Sequence, residues 1–187
     1  MKIMIKKIIL IASLLAATSN IGACAQDSPT SLKSQSGEIT FSTHEQSYWT
    51  KVFFSKNGIS EQLFPDEKSY FDEVTDSDFS NGKIYLKINK IVRGTVYDDT
   101  GEEEYDRAYC VFIEMVSGCI VRQETGSFCG GAWGDEGNAW IWAGEEVIID
   151  ERDPRKALNE SDLESLSEIG GADNVNRCTG TNGLSDG

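Results

Sequence analysis

Basic residues are scarce in this chain of 187 residues: 17 Lys and Arg stand against 31 Asp and Glu, a net charge of -14. That deficit argues against a nucleic-acid partner, because proteins that hold a phosphate backbone cluster Lys and Arg to displace counterions. Imidazole is scarcer still. His44 is the sole histidine, so a Ser-His triad, a Cys-His dyad or a multi-His metal site must use it or do without. It lies in Ser42-Thr43-His44-Glu45-Gln46, a polar connection between two apparent strands, where a solvated side chain is expected. No C-x-x-C pair is present, which weakens any zinc reading. No apolar run reaches the roughly 20 residues that a membrane-spanning helix needs, and no fixed-period repeat, heptad pattern or second domain boundary is visible. With 39% apolar residues, the chain has the composition of one ordinary globular domain, neither disordered nor fibrous.

Lys2, Lys6 and Lys7 precede the apolar stretch Ile8 to Ala17, the charged-then-apolar layout of a secretory signal. Ala23-Cys24-Ala25 fits an A-x-A cleavage site that releases a mature chain at Gln26. Ile21-Gly22-Ala23-Cys24 also approximates a bacterial lipoprotein box, in which Cys24 is lipidated and becomes the first residue. Either route removes Cys24 from the thiol count and leaves Cys110, Cys119, Cys129 and Cys178, an even set suited to two disulfides in an oxidising compartment. The expected division is a signal over 1–25, a flexible Ser/Thr/Gln tether over 26–37 and a single disulfide-stapled β domain over 38–187. Loss of three Lys and no acids leaves 14 basic against 31 acidic residues, a mature charge of -17. The expected location is the periplasm or the outer membrane, with membrane attachment only through a lipid on Cys24.

From Glu38 onward, β-branched and aromatic runs alternate with Gly, Asn and Asp, the pattern of hairpin strands. Asn57-Gly58 predicts a type I′ turn between Tyr48 to Lys56 and Ile59 to Phe64. A second turn at Thr100-Gly101 makes facing residue numbers sum to 201. Leu86 then faces Met115, and Glu114 faces Lys87 as a cross-strand ion pair. Alternation puts Leu86, Ile88, Val92, Tyr109, Val111, Ile113 and Met115 on one core face. The other face carries Tyr85, Lys87, Cys110, Phe112 and Cys119 and needs a second cover. Ser117-Gly118 predicts a third turn with Ile120 opposite Met115. In that geometry Cys110 and Cys119 lie roughly 20 Å apart along their hairpin, too far for a bridge. Two connectivities remain open: Cys110 to Cys129 with Cys119 to Cys178, or Cys110 to Cys178 with Cys119 to Cys129. Asn138 to Ala143 and Glu146 to Asp150 read as strands around Gly144-Glu145. One short C-terminal helix is expected, with a Ser161/Glu164 capping box, Leu163, Leu166 and Ile169 at helical spacing and a stop at Gly170-Gly171. Residues 173–187 are expected to be a loose tail held by Cys178. The fold class is mostly β: an antiparallel sandwich or curved sheet built from hairpins, plus that helix.

No residue set identifies a reaction, and no catalytic residue, metal ligand or cofactor site is assigned. Phe128-Cys129-Gly130-Gly131-Ala132-Trp133 looks superficially like a cysteine-protease segment, in which an aromatic residue follows the cysteine. The papain-like enzymes take their histidine from downstream, where this chain has none. Paired carboxylates for glycoside hydrolysis arise by chance among 31 acids. The run Asp98-Asp99-Thr100-Gly101-Glu102-Glu103-Glu104 lacks the EF-hand pattern for calcium, and reads as a solvated or partner-docking hairpin tip. The partner-binding candidates are Asp98, Asp99, Glu102, Glu103 and Glu104, together with Trp140 and Trp142, whose shared strand face could stack on a sugar or anchor a protein. The leading expectation is a non-enzymatic, exported acidic protein of the bacterial envelope, an immunity-type inhibitor of a basic toxin or cell-wall hydrolase. A carbohydrate-binding or structural module using the Trp pair and a carboxylate-dependent hydrolase are the alternatives.

Overall fold

The computed structural model describes residues 29–65, 67–99, 101–153 and 156–180, with Asp98 described by its backbone alone. Cys24, the signal segment and Thr100 lie outside the described residues. Alternating apolar residues build a large antiparallel sheet in the order β1 (Thr30–Lys33), β2 (Glu38–Glu45), β3 (Tyr48–Lys56), β5 (Ser69–Phe71), β6 (Tyr85–Asp98), β7 (Gly101–Glu114) and β8 (Ile120–Thr125), with β4 (Ile59–Leu63) also paired to β3. A small antiparallel sheet places β10 (Ala139–Trp142) between β9 (Ala132–Trp133) and β11 (Glu145–Ile148). The helix α1 (Glu160–Thr179) follows. The protein is therefore mostly β and antiparallel, with a single described α-helix at its C-terminal side.

Curvature follows from where bulky and small residues meet. A Cβ on Gly118, in the β7–β8 turn, would lie 2.4 Å from the Phe54 ring of β3, and one on Gly37, ahead of β2, would lie 2.7 Å from the Met115 carbonyl oxygen. The two ends of the large sheet thus close on each other across Phe54, and only a residue without a side chain fits at those contacts. The concave face buries Ile39, Phe41, Val52, Phe54, Leu86, Ile88, Val111, Ile113, Met115 and Ile120 in one core. On the convex face, Cys110 and Phe112 meet Phe128, Trp140 and Ile149 in a second core. Period-two alternation along β7 supplies both. Phe112 holds the second core together, with edge-on contacts to Trp140 at 5.2 Å, Trp133 at 5.6 Å and Phe128 at 6.1 Å.

The Asn57-Gly58 hairpin forms as expected, with φ of 51° and 79° at the turn. In the long hairpin, Asp98 faces Gly101 and Leu86 faces Ile113, so facing numbers sum to 199 and not 201. Gly101 is a paired strand residue, and the turn closes one position earlier on each side. A slip of two residues preserves both faces, which is why Leu86, Ile88, Val111, Ile113 and Met115 reach the core while the expected partners do not hold; Val92 and Tyr109 are only half-buried. Glu114 faces Tyr85, and Lys87 pairs with Asp78 at 3.7 Å; the anticipated Glu114–Lys87 pair is absent. Ile120 faces Ile113 across a bulge at Phe112/Ile113, because Glu114 already bonds back from its amide to the Cys119 carbonyl. At the small hairpin the turn is Ala143-Gly144, and Glu145 is a strand residue facing Trp142.

Three further expectations change. Thr30–Lys33, within the expected tether, pair with β2 through Leu32 and Ile39, so order begins before Glu38. The helix cap lies two residues earlier than Ser161: Asn159 caps it, accepting from the Asp162 amide while Asp162 accepts from the Asn159 amide. Gly170 and Gly171 break its geometry without ending it, and a second helical segment runs on to Thr179 in place of a loose tail. The Asn174 side chain accepts from the Ile120 amide at 2.8 Å and donates to the Ile120 carbonyl at 3.0 Å, closing the outer edge of β8. The disulfides are Cys110–Cys129 and Cys119–Cys178, the first of the two open connectivities.

Candidate functional site

The hairpin of β6 and β7 is longer than its neighbours. β5 pairs with β6 only as far as Val92, and β8 pairs with β7 only back to Tyr109. Six facing pairs, from Arg93 with Asp106 to Asp98 with Gly101, stand beyond the sheet. They form a two-stranded arm of about 20 Å at strand rise, and among the described residues no strand pairs with either of its edges.

An isolated two-stranded ribbon is only marginally stable in water, and local contacts explain how this one holds. At its base Arg93 donates to both carboxylate oxygens of Asp106 at 2.8 and 3.0 Å, and its guanidinium lies 4.9 Å from the Tyr70 ring. Those hydrogen bonds hold the Asp106 carboxyl below the usual carboxylate range and push the guanidinium up. One step outward, the Tyr105 ring covers Gly94, leaving 2.6 Å between that ring and any added Cβ. Further along, the Tyr97 hydroxyl lies 3.4 Å from Glu102 Oε1.

Strand alternation divides the acidic run. Glu102 and Glu104 face Tyr97 and Thr95 on one side, whereas Glu103 faces Val96 on the side that also carries Tyr105. Asp99 is exposed at the turn. The expected acidic tip is therefore two unlike faces, one with Glu102 and Glu104 beside Tyr97 and one with Glu103 beside Val96 and Tyr105. Tyr97 is 75% exposed, Val96 50% and Tyr105 44%. The sequence reading picked out the acids and passed over these three bulky side chains; the signal was the aromatic and β-branched residues that flank the acidic run on both sides.

The other candidates are placed differently. Trp140 is 2% exposed and donates its indole N–H to the Phe128 carbonyl at 2.9 Å. It is a core residue and no binding surface, because the β9–β11 sheet folds over β7 with that face inward. Trp142 is half-buried against Phe128. His44 is exposed on β2, with its ring 4.8 Å from Trp49. Cys129 is consumed by its disulfide.

A groove of about 750 Å³, unforeseen from local sequence pattern, lies between α1 and the segment after β11. Asp150 accepts from Arg152 Nε and Nη2 at 2.8 and 2.7 Å and from the Tyr85 hydroxyl at 2.9 Å. Glu114 lies 3.5 Å from Arg152 and bonds to Ser117 Oγ. Burial alone would push the Asp150 carboxyl up, but the Arg152 and Tyr85 hydrogen bonds outweigh it and hold the carboxyl low. Burial and then the Asp150 carboxylate push the Tyr85 phenol well up. The network joins residues 65 apart in sequence, which no local pattern announces. The two displaced carboxyls among the described residues, Asp106 and Asp150, both go down. Among the described residues, no group of three His, Cys, Asp or Glu is arranged to hold a metal. Compared with models of known families, with curated proteins and with solved structures, the chain finds no match.

Proposed function

We propose that this protein is an exported acidic binding protein of the bacterial envelope, an immunity-type inhibitor that pushes the β6–β7 arm into a cleft of a basic toxin or cell-wall hydrolase. The observation that carries this reading is the arm itself: six strand pairs without lateral neighbours, with exposed Tyr97, Tyr105 and Val96 set among acids. Tyrosines supply anchoring area at interfaces, and acids around them steer a cationic partner and fix its orientation. Two disulfides suit an oxidising compartment, where basic wall-degrading and membrane-attacking proteins are found. Attachment to the outer membrane through Cys24 belongs to the same proposal. Stacking on sugars through a Trp pair gains no support, since Trp140 is buried.

The test is inhibition. The mature protein is titrated into a panel of basic peptidoglycan hydrolases and basic secreted toxins at low and high salt. Potent inhibition of at least one is expected, weakening about tenfold or more as salt screens the acids. Replacing Asp99, Glu102, Glu103 and Glu104 by their amides is expected to weaken it similarly. Salt-insensitive inhibition that survives those changes, or turnover of a glycan by the protein itself, would overturn the reading.

A further inference from the structure

The two disulfides sit in opposite electrostatic surroundings. Both sulfurs of Cys110–Cys129 face the Glu124 carbonyl oxygen, at 3.8 and 3.5 Å. Negative charge developing on either sulfur would meet that oxygen's own partial charge. At Cys119–Cys178, Arg152 Nη1 points at Cys119 Sγ from 3.0 Å, and Arg177 Nε donates to the neighbouring Gly118 carbonyl at 3.1 Å. Asp150 and Glu114 also face this site, but both are engaged by Arg152 and serve to aim its remaining N–H at the sulfur. Cys119 is buried, whereas Cys178 is partly exposed and lines the groove. Cys178 also occupies the last turn of α1, where the helix dipole disfavours an anion.

We propose that Cys119–Cys178 is an exchangeable disulfide, opened by dithiol reductants at Cys178 with Cys119 as the leaving group, while Cys110–Cys129 is a permanent staple. The reductant's thiolate attacks Cys178 Sγ, the S–S bond breaks, and its electron pair departs on Cys119 as a thiolate stabilised by Arg152. A thiol that is more readily ionised leaves faster. The reductant's second thiol then attacks the mixed disulfide and frees Cys178. The dithiol is oxidised by two electrons to its own disulfide, and its two protons end on Cys119 and Cys178. Opening unties the last turns of α1, including Asn174, from the β8 edge that Asn174 covers. This inference is independent of the arm and of any partner.

The experiment follows the folded protein in excess dithiothreitol, with aliquots alkylated and the labelled peptides identified by mass spectrometry. Cys119 and Cys178 are expected to become labelled about tenfold faster than Cys110 and Cys129. With glutathione in place of the dithiol, the adduct is expected on Cys178 and the free thiol on Cys119. Arg152→Gln, checked for folding by circular dichroism, is expected to slow the opening. Equal rates for the two bridges, earlier opening of Cys110–Cys129, an adduct on Cys119, or an Arg152→Gln protein that opens as fast as the parent would each overturn the proposal.

Discussion

Lys90 is the residue whose position is hardest to reconcile with its chemistry. It is 1% exposed, between Ile88 and Val92 on the face that forms the main core, and its amine reaches Glu67 at 2.8 Å. The Phe64 and Tyr109 rings lie 4.5 and 5.2 Å away. Burial pulls the ammonium below its ordinary range, and Glu67 restores part of that. A buried ion pair of this kind contributes little net stability, because desolvation cancels the attraction, and Glu67 is partly in water and screened. Lys90→Met, which fills the same volume without a charge, is therefore expected to leave stability unchanged or raise it by up to about 2 kcal/mol. Glu67→Gln, which strands the ammonium, is expected to lower it by about 1 kcal/mol. Urea midpoints decide the order; a Lys90→Met protein less stable than Glu67→Gln would show that the charge itself stabilises the fold. Alternation alone puts Lys90 on the core face. What it does not supply is Glu67, which arrives from 23 residues away.

Among the elements, the arm has the least support and the most exposure. Its geometry depends on the Tyr105 ring lying over Gly94. Gly94→Val would push that ring aside while leaving the strand pairing intact, since β-branched residues favour strands. The expected outcome is a thermal midpoint within about 2 °C of the parent, together with weaker inhibition of whichever basic target the parent inhibits. Unchanged inhibition would mean that Tyr105 makes no contact there. The element-level reading from sequence succeeded where pairing is local: the Asn57-Gly58 hairpin has its turn where expected, and the strands and alternating faces of the long hairpin stand out in one continuous stretch, although its turn closes before Gly101. It missed the continuation of α1 past Gly170-Gly171, because the packing that holds the second helical segment is made by Asn174, Arg177 and Cys178 against Ile120, Gly118 and Cys119. Those contacts span more than 50 residues and leave no trace in helix periodicity.

Across the whole molecule, the Tyr85–Asp150–Arg152 network ties β6 to the segment after β11 and to the β7–β8 turn, so its titration bears on global stability. The Asp150 carboxyl is held low in the folded state, so the unfolded chain binds its proton more readily. The stabilisation is complete above the unfolded value of about 3.9 and fades as pH falls through the lower folded value. Thermal midpoints should hold from neutral pH down to about pH 5 and drop below about pH 4. Asp150→Asn should cost about 2 kcal/mol at neutral pH and flatten that drop; an equally steep drop in the variant would place the acid sensitivity elsewhere. Composition, alternation and turn chemistry by themselves determined the acidic character, the antiparallel hairpins, the two faces of β6 and β7 and the exclusion of a Cys110–Cys119 bridge, because each depends on residue type or on neighbours along the chain. Only the tertiary structure decided which cysteines pair, that Trp140 belongs to a core, that the groove around Asp150 exists, and that the long hairpin outruns its neighbours to leave an arm. Each of those depends on which distant segment covers a given surface, and apolar burial can be satisfied by many partners until the whole chain has chosen one.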